Sequence, residues 1–90
     1  MIDIGGGSGA LILQTTPDLA GVEIEISPVG LDDQRSHVAV LARPIAGGTV
    51  HAAVYPSLPT GTWQLWDPVT NAAAQRIAIL DGRVTEAHWA

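Results

Sequence analysis

Turn-forming residues punctuate this chain about every eight to twelve positions, and that spacing decides most of what it can become. Ten glycines and six prolines gather in clusters such as TTPDLAG, SPVGLDDQRS, PSLPTG and DPVTN, with short apolar runs between them. An amphipathic helix needs a longer uninterrupted stretch, whereas a strand needs only roughly four to eight residues with period-two alternation. The apolar residues are mainly Ala, Val, Ile and Leu, and a β-branched set suits pleated, half-buried surfaces. The expectation is one all-β domain over residues 1–90, an antiparallel β-sandwich of about seven or eight short strands. A glycine-rich segment, residues 1–8, leads into it. Ala72, Ala73 and Ala74 could instead start a short helix, since alanine is the best helix former.

Composition narrows the function. Nine acidic residues stand against four arginines and no lysine, a formal net charge of −5. Such a surface repels phosphate backbones, so no nucleic-acid partner is expected. Without lysine there is no Schiff base, no pyridoxal phosphate anchor and no Lys–Asn isopeptide cross-link. Without cysteine there is no disulfide framework and no thiolate-held zinc or iron–sulfur site. No apolar run approaches the ~18 residues of a membrane span, and the first residues carry no basic stretch. A cytoplasmic protein with no membrane association is expected. With 47% hydrophobic and 14% charged residues, the chain should form a packed globule.

The strands can be placed in order. Residues 9–14 read as a short apolar strand. Residues 22–27 alternate, with Val22, Ile24 and Ile26 on one face and Glu23, Glu25 and Ser27 on a wet one. Residues 37–43 and 49–55 read as a hairpin turning through Ala46, Gly47 and Gly48, which pairs Ile45 with Thr49. That register puts Val50, Ala52 and Val54 toward the core. It places Arg43 beside His51, Leu41 beside Ala53 and Ala39 beside Tyr55 on the opposite face. Residues 56–61 read as a wide loop, because two prolines oppose a central strand. Residues 62–66 follow as a strand, and Asp81-Gly82 signals a closing hairpin that pairs Ile79 with Val84.

Several motifs advertise chemistry. Asp3, Gly5, Gly7 and Gly9 closely resemble the glycine motif of S-adenosylmethionine-dependent methyltransferases, which would imply a cofactor cradled at a helix N-terminus. Only two residues precede Asp3, and the stretch before Pro17 is too short for a crossover helix. That reading stays a remote alternative, and a glycine turn feeding a strand is favoured. Gly6 and Ser8 imitate a hydrolase elbow, but Ala10 stands where glycine should. Glu23 and Glu25 could pose as paired carboxylates; a solvated strand face is the simpler account. Asp32 and Asp33 lack the calcium-loop pattern. His37 and His51 fall at opposite ends of the expected hairpin, too far apart to share a metal, and His88 alone could join one of them.

Leu58-Pro59-Thr60-Gly61-Thr62-Trp63-Gln64-Leu65 is similar to the L-P-x-G-x-aromatic-x-L signature of prealbumin-like sandwich modules, among them carboxypeptidase regulatory-like and collagen-adhesin B-type repeats. The resemblance covers residues 49–89 and implies a prealbumin-like fold, with an Ig-like one beside it, and no activity. The chain also resembles small actinobacterial proteins of unassigned role, through G-A-L-I-L, E-I-E-I-S, H-V-x-V and A-A-V-Y-P-x-L-P-x-G. It implies a standalone domain and brings no catalytic residues.

The combined expectation is a non-enzymatic binding or interaction module with no cofactor and no metal. Its partner would be another protein or a second copy, met by a partly apolar surface of Leu41, Ala53, Tyr55 and Trp66. The alternative is a small-ligand or metal-binding domain built on Arg43 and His51, with Glu86 nearby.

Overall fold

A computed structural model describes residues 6–89 of the protein. The short apolar runs between turn clusters form eight strands: β1 (Ser8–Thr15), β2 (Glu23–Pro28), β3 (Ser36–Ala39), β4 (Leu41–Ile45), β5 (Gly48–Pro59), β6 (Gly61–Trp66), β7 (Ala73–Ile79) and β8 (Val84–His88). A single 3-10 turn, Pro17–Leu19, joins β1 to β2. The strands make two four-stranded sheets, here sheet A in the order β4-β5-β1-β8 and sheet B in the order β3-β2-β6-β7. All neighbours are antiparallel except β1 and β8, which run parallel. The all-β sandwich expected from the turn spacing is what forms.

The core lies between the sheets. Leu11, Leu13 and Tyr55 of sheet A meet Ile24, Ile26 and Leu65 of sheet B, and all six are buried. The Tyr55 hydroxyl donates a 2.6 Å hydrogen bond to the Ile24 carbonyl and so ties one sheet to the other. Burial pushes this phenol well above its ordinary ionisation range. Gly9 permits the parallel pairing at the start of β1. A Cβ there would sit 2.3 Å from the Leu80 carbonyl oxygen and 3.0 Å from that of Arg83. Ala10 N–H donates to that same Arg83 carbonyl at 2.9 Å, so the backbone of the β7–β8 connection rests directly on β1.

Five local expectations are corrected. Residues 37–43 are two strands, because the chain changes sheets at Val40, a buried residue whose N–H and C=O bond Val22 and Gly21. His37 therefore lies in sheet B and His51 in sheet A, rather than at two ends of one hairpin. The β4–β5 turn uses Ala46 and Gly47, with Ile45 paired to Gly48 and Leu41 to Ala52. That is one residue from the expected register, and a one-residue slip exchanges the two faces of a strand. Residues 56–59 continue β5 instead of looping out. Gly9 pairs with Leu58 and Leu11 with Tyr55, so β5 bulges across Pro56 and Ser57, where a missing N–H is tolerated. Asp81-Gly82 does turn, with Gly82 at φ 69°, but it carries the chain from sheet B to sheet A and pairs β8 with β1. Ala73 and Ala74 are strand, not helix.

Candidate functional site

The two outer faces of the sandwich differ sharply. Strand alternation places Glu23, Glu25 and Ser27 of β2, His37 of β3, and Gln64 and Trp66 of β6 on the outside of sheet B. The chain covers this face itself. Arg35, from the β2–β3 connection, stacks its guanidinium 3.7 Å above the Trp66 ring. Its Nη1 donates to Glu25 Oε1 at 3.0 Å and to Asn71 Oδ1 at 2.6 Å, and its Nε donates to the Asp32 carbonyl at 2.9 Å. Below the stack, Trp66 Nε1 donates to the buried Ser27 Oγ at 2.9 Å, and Gln64 Nε2 donates to Asp32 Oδ1 at 2.8 Å. The wet strand face expected of β2 holds for Glu23 but not for Ser27, which the indole seals off.

Beside this stack runs an open groove of about 280 Å³, lined by Glu23, Glu25, His37, Trp66, Asp67 and Asn71. Its carboxylates already have work within the chain. Glu25 holds Arg35, Glu23 lies 3.1 Å from His37 Nε2, and Asp67 caps the following turn by accepting from the Val69 and Thr70 N–H groups. No buried side-chain polar atom among the described residues lacks a partner. None of their His, Asp and Glu side chains forms a group of three able to hold a metal ion. The groove reads as a clamp that fixes the β2–β3 and β6–β7 connections over sheet B.

Sheet A is left open. Alternation through β4, β5, β1 and β8 turns Leu41, Arg43, Ile45, Val50, Ala52, Val54, Ile12, Val84 and Glu86 outward, with the polar Gln14 and His88 at one end, and no element of the described chain lies over them. Leu41, Ile45 and Val84 are 51%, 55% and 43% exposed, while Ile12, Val50 and Val54 are half-buried by their neighbours alone. This is the reverse of the expected arrangement. Of the surface assigned from sequence, only Leu41 is exposed. Ala53 and Tyr55 point into the core, where β1 and sheet B enclose them, and Trp66 is buried under Arg35 on the far side of the molecule. The Arg43–His51 pair does not form. His51 pairs with Ala42 and Arg43 with Val50, so the two side chains leave β4 and β5 on opposite faces. Arg43 Nε instead reaches the Ala52 carbonyl at 3.5 Å. Sequence did carry a signal for the true face: Leu11-Ile12-Leu13 is apolar without alternation, which demands two apolar sides.

The glycine stretch feeds a strand, as favoured from sequence over the remote methyltransferase reading. Asp3 and Gly5 lie outside the described residues, Gly9 is inside β1, and a further strand residue rather than a helix follows it. No helix among the described residues is long and apolar enough to cross a membrane. Comparisons with protein-family models, with curated proteins and with solved structures return no match to this chain. The surface geometry is therefore the whole basis for a functional reading.

Proposed function

We propose that this protein is a non-enzymatic interaction module that docks a flat, apolar protein surface onto the outer face of sheet A. One observation carries the reading: the described residues spend the Arg35–Trp66 stack and the polar connections covering sheet B, and leave a largely apolar face on sheet A uncovered. Soluble proteins keep few large apolar patches unless something meets them. Arg43 and Glu86 give this face one charge of each sign, so a partner needs no strong charge of its own. The reading retains two further proposals from sequence, a cytoplasmic location and a prealbumin-like fold, suggested by the resemblance over residues 49–89.

Site-specific photo-crosslinking tests it. A benzophenone amino acid placed at Leu41, in the cells that produce the protein, should yield one discrete covalent adduct. The same group at Ala78, exposed on sheet B, should yield none. No adduct at position 41, or equal adducts at both positions, would overturn the reading.

A further inference from the structure

The open face also says what kind of partner fits it. Of the acidic residues described, only Glu86 lies on this face, where Arg43 balances it. Glu23 and Glu25 sit outside sheet B, and Asp18, Asp32, Asp33, Asp67 and Asp81 lie in the turns. A chain with a formal charge of −5 repels its own copies almost everywhere, and this neutral apolar face is where two of them can meet with least repulsion. Stacked face to face, they would hold their acidic outer layers as far apart as the geometry allows.

Size agrees. The molecule is a flat slab, 35 by 31 by 17 Å, so its broad side is of the order of the ~800 Å² that each partner buries in a stable dimer. Symmetry agrees as well. A two-fold axis lying between the sheets along the strand direction aligns them in the usual face-to-face manner. It sets the β4 edge of one copy over the β8 edge of the other, and β5 over β1, each twice. Half-buried Val50 and Val54 of β5 then meet Ile12 of the other copy's β1 at the centre, and half-exposed Leu41 and Ile45 lie over its β8 edge.

We propose that the outer face of sheet A is the interface of a homodimer, a four-layer stack of sheets; this rests on the docking reading above and names its partner as a second copy. Sedimentation equilibrium at micromolar concentrations tests it. Wild type should have twice the 9.3 kDa chain mass. The double variant Leu41→Glu/Ile45→Glu, at two half-exposed positions on one edge, should raise the dimer dissociation constant at least ~100-fold, because each substitution enters a two-fold interface twice. Val84→Glu, on the other edge, should weaken it independently, and Val69→Glu, 88% exposed in a turn off this face, should change nothing. Circular dichroism identifies any variant that fails to fold. A monomeric wild type, or a dimer indifferent to both edge variants, overturns the homodimer. A monomer that still traps a foreign protein at Leu41 overturns self-pairing and leaves the docking reading standing. A monomer with no adduct overturns both.

Discussion

Replacing Tyr55 by phenylalanine should make the protein less stable at neutral pH and more stable in strong alkali. Tyr55 is 2% exposed, and its hydroxyl donates across the core from sheet A to the Ile24 carbonyl in sheet B. Losing a buried hydrogen bond of this kind costs about 1–2 kcal/mol. Burial also raises the phenol's pKa above its ordinary value of 10.0. Above that pH the unfolded chain releases the proton and the folded chain keeps it, so the unfolded state holds fewer protons and stability falls as pH rises. The contribution is fully present below about pH 10 and is lost at roughly 1.4 kcal/mol per pH unit as the folded-state value is approached. Phenylalanine has no proton to lose. The two stability curves should therefore cross near pH ~11, where the alkaline loss equals the hydrogen bond. This chain suits the measurement, since it has one tyrosine, no lysine and no cysteine to titrate in the same range. Urea unfolding followed by far-ultraviolet circular dichroism, from about pH 7 to 11.5, gives both curves. Absorbance at about 295 nm follows the phenolate directly. Parallel curves, or phenolate appearing near pH 10 while the dichroism stays native, would refute the argument.

Two further substitutions test the packing. Gly9→Ala should cost about 3 kcal/mol, because the new methyl meets backbone carbonyls that cannot withdraw without parting β8 from β1. For a chain of this size that is a fall of roughly 12–24 °C in Tm, and a loss under about 4 °C would show that the contact relaxes freely. Ser27→Ala should cost about 1–3 kcal/mol by stranding the Trp66 indole N–H, and close to nothing in a Trp66→Phe background. A urea double-mutant cycle without coupling would remove Ser27 from that role.

Strand positions were legible because alternation and turn chemistry are local. The apolar runs around Leu11, Ile24, Val50, Leu65 and Ile77 all became strands where the pattern put them. What failed was the choice of neighbour. Asp81-Gly82 has the chemistry of a tight turn, and a tight turn serves equally to fold a strand back on its own sheet or to arch across to the other one. The close packing of Gly9 against Leu80 and Arg83, with the bonds from Gly7 N–H to Asp81 Oδ1 and from Gly82 N–H to the Ser8 carbonyl, holds the second. At Ala46-Gly47-Gly48 two adjacent glycines offered turns one residue apart, and that single step exchanged the buried and open faces of β5. The candidate surface inverted with it. Trp66 misled for another reason, since its cover is Arg35, more than thirty positions away, a contact that no period in the sequence encodes.

The parallel pairing of β1 with β8 bears on the order in which the molecule can assemble. β1 is an inner strand of sheet A, yet its two neighbours come from the middle and the last strand of the described chain. Its entry is fastened by a bond from Gly7 N–H to Asp81 Oδ1, between residues 74 positions apart. Pairings of that range close large loops before any contact rewards them, which places folding in the slower range of about milliseconds to seconds. During synthesis β1 emerges before β8 and must wait with one edge unpaired, an Ala-Leu-Ile-Leu segment open to any passing strand. The glycine that lets β8 dock so closely thus also makes completion of the sheet depend on the last strand to arrive.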